Sequence, residues 1–142
     1  AAGGIASGRA MLAARILGAE GVQIGTLFAM SEESSASEEF KQACVSLEEG
    51  GTMLCLKKIA PTRLIKNNLY QQISEAEDRG VSAEQLKELL GRAASKRGIF
   101  EGDIDNGELK IGQIASAINE IRPVSEIISN MIEEYNKAKS EL

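Results

Sequence analysis

Two adjacent glycines, Gly3-Gly4, followed at once by an alanine-rich run, constrain this chain more than any other feature of it. Without side chains, the backbone there takes dihedrals closed to other residues and lets a ligand approach its N–H groups. The stretch AAGGIASGRAMLAARILGAEGVQIGT, Ala1–Thr26, then reads as turn, helix, strand and second turn. Ser7 is placed to cap a helix running from Ser7 or Gly8 to about Leu17, and Gly18 is placed to stop it. Ala10, Ala13, Ala14 and Leu17 give that helix a narrow, smooth face suited to lying on a sheet. Gly21-Val22-Gln23-Ile24-Gly25 is a short apolar strand that needs parallel neighbours, and it ends in a second small-residue turn, Gly25-Thr26.

Two such turns side by side make a cradle of N–H groups for a phosphate. Successive βα turns late in a (β/α)8 barrel hold phosphate groups in this way, although paired glycines at strand ends also serve α/β folds as plain tight turns. The first turn arrives with no strand before it and Ala1 is not a methionine, so the chain is expected to be the C-terminal part of something longer.

Composition narrows the chemistry. The net charge is −5, with Lys and Arg scattered rather than clustered, which argues against a nucleic-acid partner. No apolar run approaches membrane-spanning length, so no membrane partner and a soluble, cytoplasmic protein are expected. Histidine is absent, which removes Ser-His-Asp and Cys-His catalysis and most zinc sites from these 142 residues. Cys44 and Cys55 lack metal-ligand or CxxC spacing and are expected to be buried thiols. The sequence identifies no metal site and no catalytic residue.

Beyond Thr26, Leu27–Met30 reads as one helical turn or a covering piece over the barrel end, and Ser35-x-x-Glu38 has capping-box spacing for a helix from about Ala36 to Leu47 with Phe40, Cys44 and Leu47 inward. Thr52–Leu56 reads as extended, and Pro61 opens a loop through Asn68 in which Arg63 and Lys66 could face an anion. Helices are expected near Leu69–Asp78, after the capping box Ser82-x-x-Gln85, and over Ala93–Phe100. Glu101–Gly107 imitates a calcium loop but fails on count, because its twelfth position falls on Ile114; it reads as an acidic turn whose Asp side chains bond local backbone. Helix is expected to resume through Leu109, Ile111, Ile114, Ile118 and Ile121, and Pro123 to start a last helix striped with Ile127, Ile128, Met131, Ile132 and Tyr135, a core or dimer seam.

Three blocks, Ala1–Ser34, PTRLIKN at Pro61–Asn67 and EGDIDNGELKIGQIASAI at Glu101–Ile118, together and in this order resemble the FMN-dependent (β/α)8-barrel family that includes the flavin-type enoyl-acyl carrier protein reductase and nitronate monooxygenase. The resemblance implies an α/β fold: residues 1–34 would be the C-terminal portion of a TIM barrel (end of strand 7, helix 7, strand 8), and residues 35–142 a mostly helical region lying on it. It implies an FMN phosphate held by Ala2, Gly3 and Gly4 on one turn and Gln23, Ile24, Gly25 and Thr26 on the other. Two positions depart from the family pattern: Ser7 stands where relatives often carry Asp, and Leu27 where they often carry Arg.

The activity so implied is reduction of a trans-2-enoyl thioester on acyl carrier protein. NADH or NADPH would give hydride to the flavin, which passes it to the β-carbon before a proton reaches the α-carbon. A homodimer is expected. The family alternative is nitronate monooxygenase, using FMN and dioxygen. An alternative of another class is a non-catalytic helical interaction module built from the Leu- and Ile-rich helices after Leu69.

Overall fold

A computed structural model describes residues 1–142. The elements in order are α1 (Gly8–Ile16), α2 (Thr26–Ala29), α3 (Glu38–Val45), β1 (Thr52–Cys55), β2 (Thr62–Ile65), α4 (Asn68–Asp78), α5 (Ala83–Leu90) and α6 (Val124–Ser140). A π-helical turn, Lys96–Phe100, and a 3-10 turn, Gln113–Ala117, lie between α5 and α6. The chain is thus α/β, with one antiparallel hairpin in which Met53 faces Leu64 and Cys55 faces Thr62.

Side chains that cap helix ends fix most of these boundaries. Ser7 Oγ accepts from the Ala10 amide at 3.1 Å and opens α1, and Gly18 (φ +101°) lies just beyond its end. Asn67 Oδ1 accepts from the Tyr70 amide at 2.9 Å and opens α4. At α5 the capping box is complete, with Ser82 Oγ accepting from the Gln85 amide and Gln85 Oε1 from the Ser82 amide.

Four expectations are corrected. The cap of α3 is Ser37 rather than Ser35: its amide donates to the Ile99 carbonyl at 2.7 Å, which holds Ser37 extended and delays the helix to Glu38. The segment after Pro61 is strand β2, not loop, because residues distant in sequence pair with it: Ile65 N–H donates to Leu109 C=O (3.0 Å) and Ile111 N–H to Arg63 C=O (3.4 Å). For the same reason Leu109–Ile111 is extended, and only Gln113–Ala117 coils, as 3-10. The strand expected over Gly21–Gly25 is reduced to a single parallel bridge, Ala2 to Gln23, since within this chain only Ala1 and Ala2 lie beside it to pair with.

Three apolar clusters hold the elements together. The largest joins Met30, Phe40 and Cys44 to Leu109, Ala115 and Ile118, so the first third of the chain and the strap after Gly107 share a core. Full burial of Phe40 alone contributes about 1.5–3 kcal/mol. A second cluster packs Ile73 of α4 and Leu86 of α5 under the hairpin. The third sets Ile5 against Ile127 and Met131, so that α6 returns to cover α1. Of the expected stripe on α6, Ile127 and Met131 are buried, while Ile128 and Ile132 are exposed.

Both cysteines are buried free thiols. Desolvation pushes Cys44 up from 9.0 to about 12, and desolvation aided by the Glu77 and Glu108 carboxylates pushes Cys55 to about 11. Because these folded values lie above the unfolded ones, the stability they lend is complete below pH 9 and is lost as pH rises toward 11 or 12, where the unfolded chain ionises and the native thiols do not. Peptide mapping after iodoacetamide treatment at pH 8 should find both unmodified in native protein and both alkylated in denaturant. Rapid native alkylation of Cys44 would contradict this burial.

Candidate phosphate cradle

The candidate site is built on the parallel bridge between Ala2 and Gln23. Gln23 N–H donates to Ala1 C=O at 2.8 Å, which pairs Ala2 with Gln23 at the usual parallel spacing of about 4.8 Å, and each of the two turns leaves from one side of that bridge. The first turn, Gly3 (φ +97°) and Gly4 (φ +68°), uses the left-handed backbone that favours glycine. A Cβ built on Gly3, Gly4 or Gly25 would meet no protein atom within 4 Å. These glycines therefore leave open space, as a ligand cradle needs, and do not serve close chain contact.

The backbone amides of Gly4, Gly25 and Thr26 donate to no protein acceptor. Each is an N–H free for an anion. Of the other residues expected here, Gln23 has its amide in the bridge and so frames the cradle, Ala2 is its bridge partner, and Ile24 turns inward to the cluster around Ile127. Thr26 Oγ1 accepts from the Gly112 amide at 3.2 Å. The Ala2–Gln23 bridge thus brings the two expected stretches together, and Thr26 also touches Gly112 of the third sequence block. Gly112 escaped the sequence reading; the period-two pattern Leu109-Lys110-Ile111 ending in a glycine is the signal that could have shown it as a strand end.

An open cleft of about 590 Å³ adjoins Gly4 and is lined by Gln113, Ile114, Ser116, Ala117 and Glu49. A smaller cavity of about 220 Å³ lies elsewhere, between α2, the 3-10 turn and α6, with Glu120, Arg122 and Glu134 in its lining. The guanidinium of Arg63 is occupied, donating to the Thr52 carbonyl (3.3 Å) and hydroxyl (3.2 Å) across the hairpin. In the acidic turn, Asp103 Oδ1 accepts from the Asn106 amide at 2.9 Å, the local backbone bond its sequence implies.

The residues fit a flavin mononucleotide phosphate: bare glycines, unpartnered amides from two neighbouring turns, and a hydroxyl at the rim. No helix of the chain is long and apolar enough to cross a membrane.

Known proteins resemble the chain over nearly its whole length. The FabK structure from Thermotoga maritima superposes with a TM-score of 0.90 at 35% identity, covering 99% of this chain and 44% of that one. A nitroalkane oxidase from Streptomyces ansochromogenes, at 24% identity, shares the fold with a TM-score of 0.78 over 99% of this chain and 40% of its own. A probable nitronate monooxygenase of Staphylococcus aureus (strain MSSA476) is 33% identical over 140 residues, 96% of this chain, and that of Staphylococcus saprophyticus is 31% identical over 138. The chain spans 38% of the length of these curated relatives. The nitronate monooxygenase family model matches residues 1–134, in which both glycine turns and the Gly112 contact lie, and the chain accordingly belongs to that family.

Proposed function

We propose that these residues form the phosphate-holding end of an FMN-dependent oxidoreductase with a (β/α)8 barrel, most of which lies outside this chain. The observation that carries the reading is the bridged pair of turns with open glycines and free amides. FMN, when bound, supplies hydride transfer. The chain's own part is to anchor the phosphate through Gly4, Gly25 and Thr26, so that the ring system is oriented toward groups on the rest of the barrel.

The favoured reaction is NAD(P)H-dependent reduction of a trans-2-enoyl thioester carried on acyl carrier protein, a reading that the likeness to FabK supports. The second reading, oxidation of a nitronate with dioxygen, draws support from the family model and the curated relatives. Anaerobic mixing separates them. Flavin bleaching by NADH or NADPH and reoxidation by crotonyl thioester are expected; bleaching by a nitronate with no response to either nucleotide would establish the second reading instead. A colourless intact protein that takes up no FMN would leave only the helical interaction module.

Substitution of Gly4 tests the cradle itself. Gly4→Val sends a side chain into the open space and forces a non-glycine residue to φ +68°, so FMN should be lost from the purified intact protein. Asp103→Ala, which removes only a local turn bond, should leave flavin content unchanged. Full flavin occupancy in Gly4→Val would refute the assignment.

A further inference from the structure

The strap from Gly107 to Ile111 has no role in the reading above, yet it and the acidic turn before it are held from several sides, and the strap ends beside Thr26. Asn67 Nδ2 donates to the carbonyls of Ile104 and Gly107, each at 2.9 Å. The Leu64–Lys110 bridge ties the strap to β2, and Gly98 and Gly107 let two backbone segments touch. Lys110 Nζ pairs at 3.2 Å with Glu108, itself almost wholly buried. The residue that this bracing delivers to the cradle is Gly112.

Gly112 meets Thr26 so closely that a Cβ on it would stand 2.4 Å from Thr26 Oγ1. Its amide donates to that oxygen at 3.2 Å. A threonine hydroxyl has one proton to give and lone pairs to accept with. With a lone pair occupied by Gly112, the oxygen is oriented and its own proton, which makes no protein hydrogen bond, is left for an acceptor in the cradle.

We infer that Gly112 is a positioning residue for the flavin phosphate, acting through Thr26: it turns the Thr26 hydroxyl into a fixed donor to a phosphate oxygen, and the Asn67 hydrogen bonds and the Leu64–Lys110 bridge brace the strap that holds it there. The inference rests on the cradle reading given above. It binds all three family-like sequence blocks into one mechanical chain ending at a single hydrogen bond.

The test uses the intact apoprotein, titrated separately with FMN and with riboflavin, which lacks the phosphate, by quenching of flavin fluorescence. Gly112→Ala should weaken FMN about 10- to 100-fold, the worth of a hydrogen bond to a charged group, and leave riboflavin unchanged. In a Thr26→Ala background the added Gly112→Ala should cost nothing further, because the struck oxygen is gone and the remaining Thr26 Cβ lies 3.7 Å away, at ordinary contact. Thr26→Ser should bind FMN like the parent and Thr26→Val should not, which tests the hydroxyl with Gly112 intact even if Gly112→Ala fails to fold. Additive losses, or equal losses for FMN and riboflavin, would overturn the positioning role. A parent protein that binds FMN and riboflavin equally would overturn the cradle reading itself, a result distinct from either.

Discussion

Gly8→Val is expected to lower stability by about 3 kcal/mol or more, the upper end of overpacking effects, because nothing at the α1–α6 crossing can yield by changing rotamer. A Cβ on Gly8 would lie 2.3 Å from both the Met131 carbonyl oxygen and the Tyr135 amide nitrogen, all backbone atoms of α6. The two helices would have to part. That motion would also pull Glu134 Oε2 from the Gly8 amide, to which it is hydrogen-bonded at 2.7 Å, and open the cluster of Ile5, Ile127 and Met131. Thermal melts of the intact protein should show a fall of about 6–12 °C. Glu134→Ala, which removes the acceptor and leaves the helices seated, should cost only about 1–2 kcal/mol. A Gly8→Val melt within about 2 °C of the parent would mean that α6 does not rest on α1 this closely.

Gly107→Val should be comparably severe and should reach the cradle as well. Its Cβ would stand 2.2 Å from Gly98 Cα and 2.4 Å from the Asp103 carbonyl oxygen, so the loss is again one of space between backbones. Gly50 supplies the contrast: it has φ +79° and open surroundings, so Gly50→Ala should cost only the left-handed penalty of about 1–2 kcal/mol. Because Gly107 heads the strap that delivers Gly112 to Thr26, its replacement should lower FMN affinity together with stability, whereas Gly50→Ala should leave FMN affinity alone. The paired measurement is a thermal melt and an FMN titration on each variant. Unchanged flavin binding in a destabilised but folded Gly107→Val would sever the strap from the cradle.

Local chemistry made much of this fold legible. Ser7, Gly18, the Ser82–Gln85 box and Asn68–Asp78 with its apolar stripe each carry their instruction within a few residues. What the sequence hid depends on partners far along the chain. Thr62–Ile65 looks like a loop after Pro61 until Leu109–Ile111 is known to lie beside it, and Ser35 looks as good a cap as Ser37 until Ile99 claims the Ser37 amide. Leu109, Ile111, Ile114, Ile118 and Ile121 fit a helical period loosely; pairing with β2 overrides that weak preference and breaks the run at Gly112. Of the candidate cradle, Gly3-Gly4 was readable as a turn because two adjacent residues without side chains point to left-handed backbone. Its Gly112 buttress was not, since only tertiary structure brings residue 112 to residue 26.

The return of α6 onto α1 has a consequence for biogenesis. The hydrogen bond that seats the amino end of α1 joins residues 126 positions apart, and the apolar lid over Ile5 is built from that same late helix. During synthesis the seat of α1, and with it the packing of Ile5 beside the Gly3-Gly4 turn, therefore stays incomplete until α6 has cleared the ribosome. On the proposed reading of the cradle, a chain stalled before Val124 should emerge colourless.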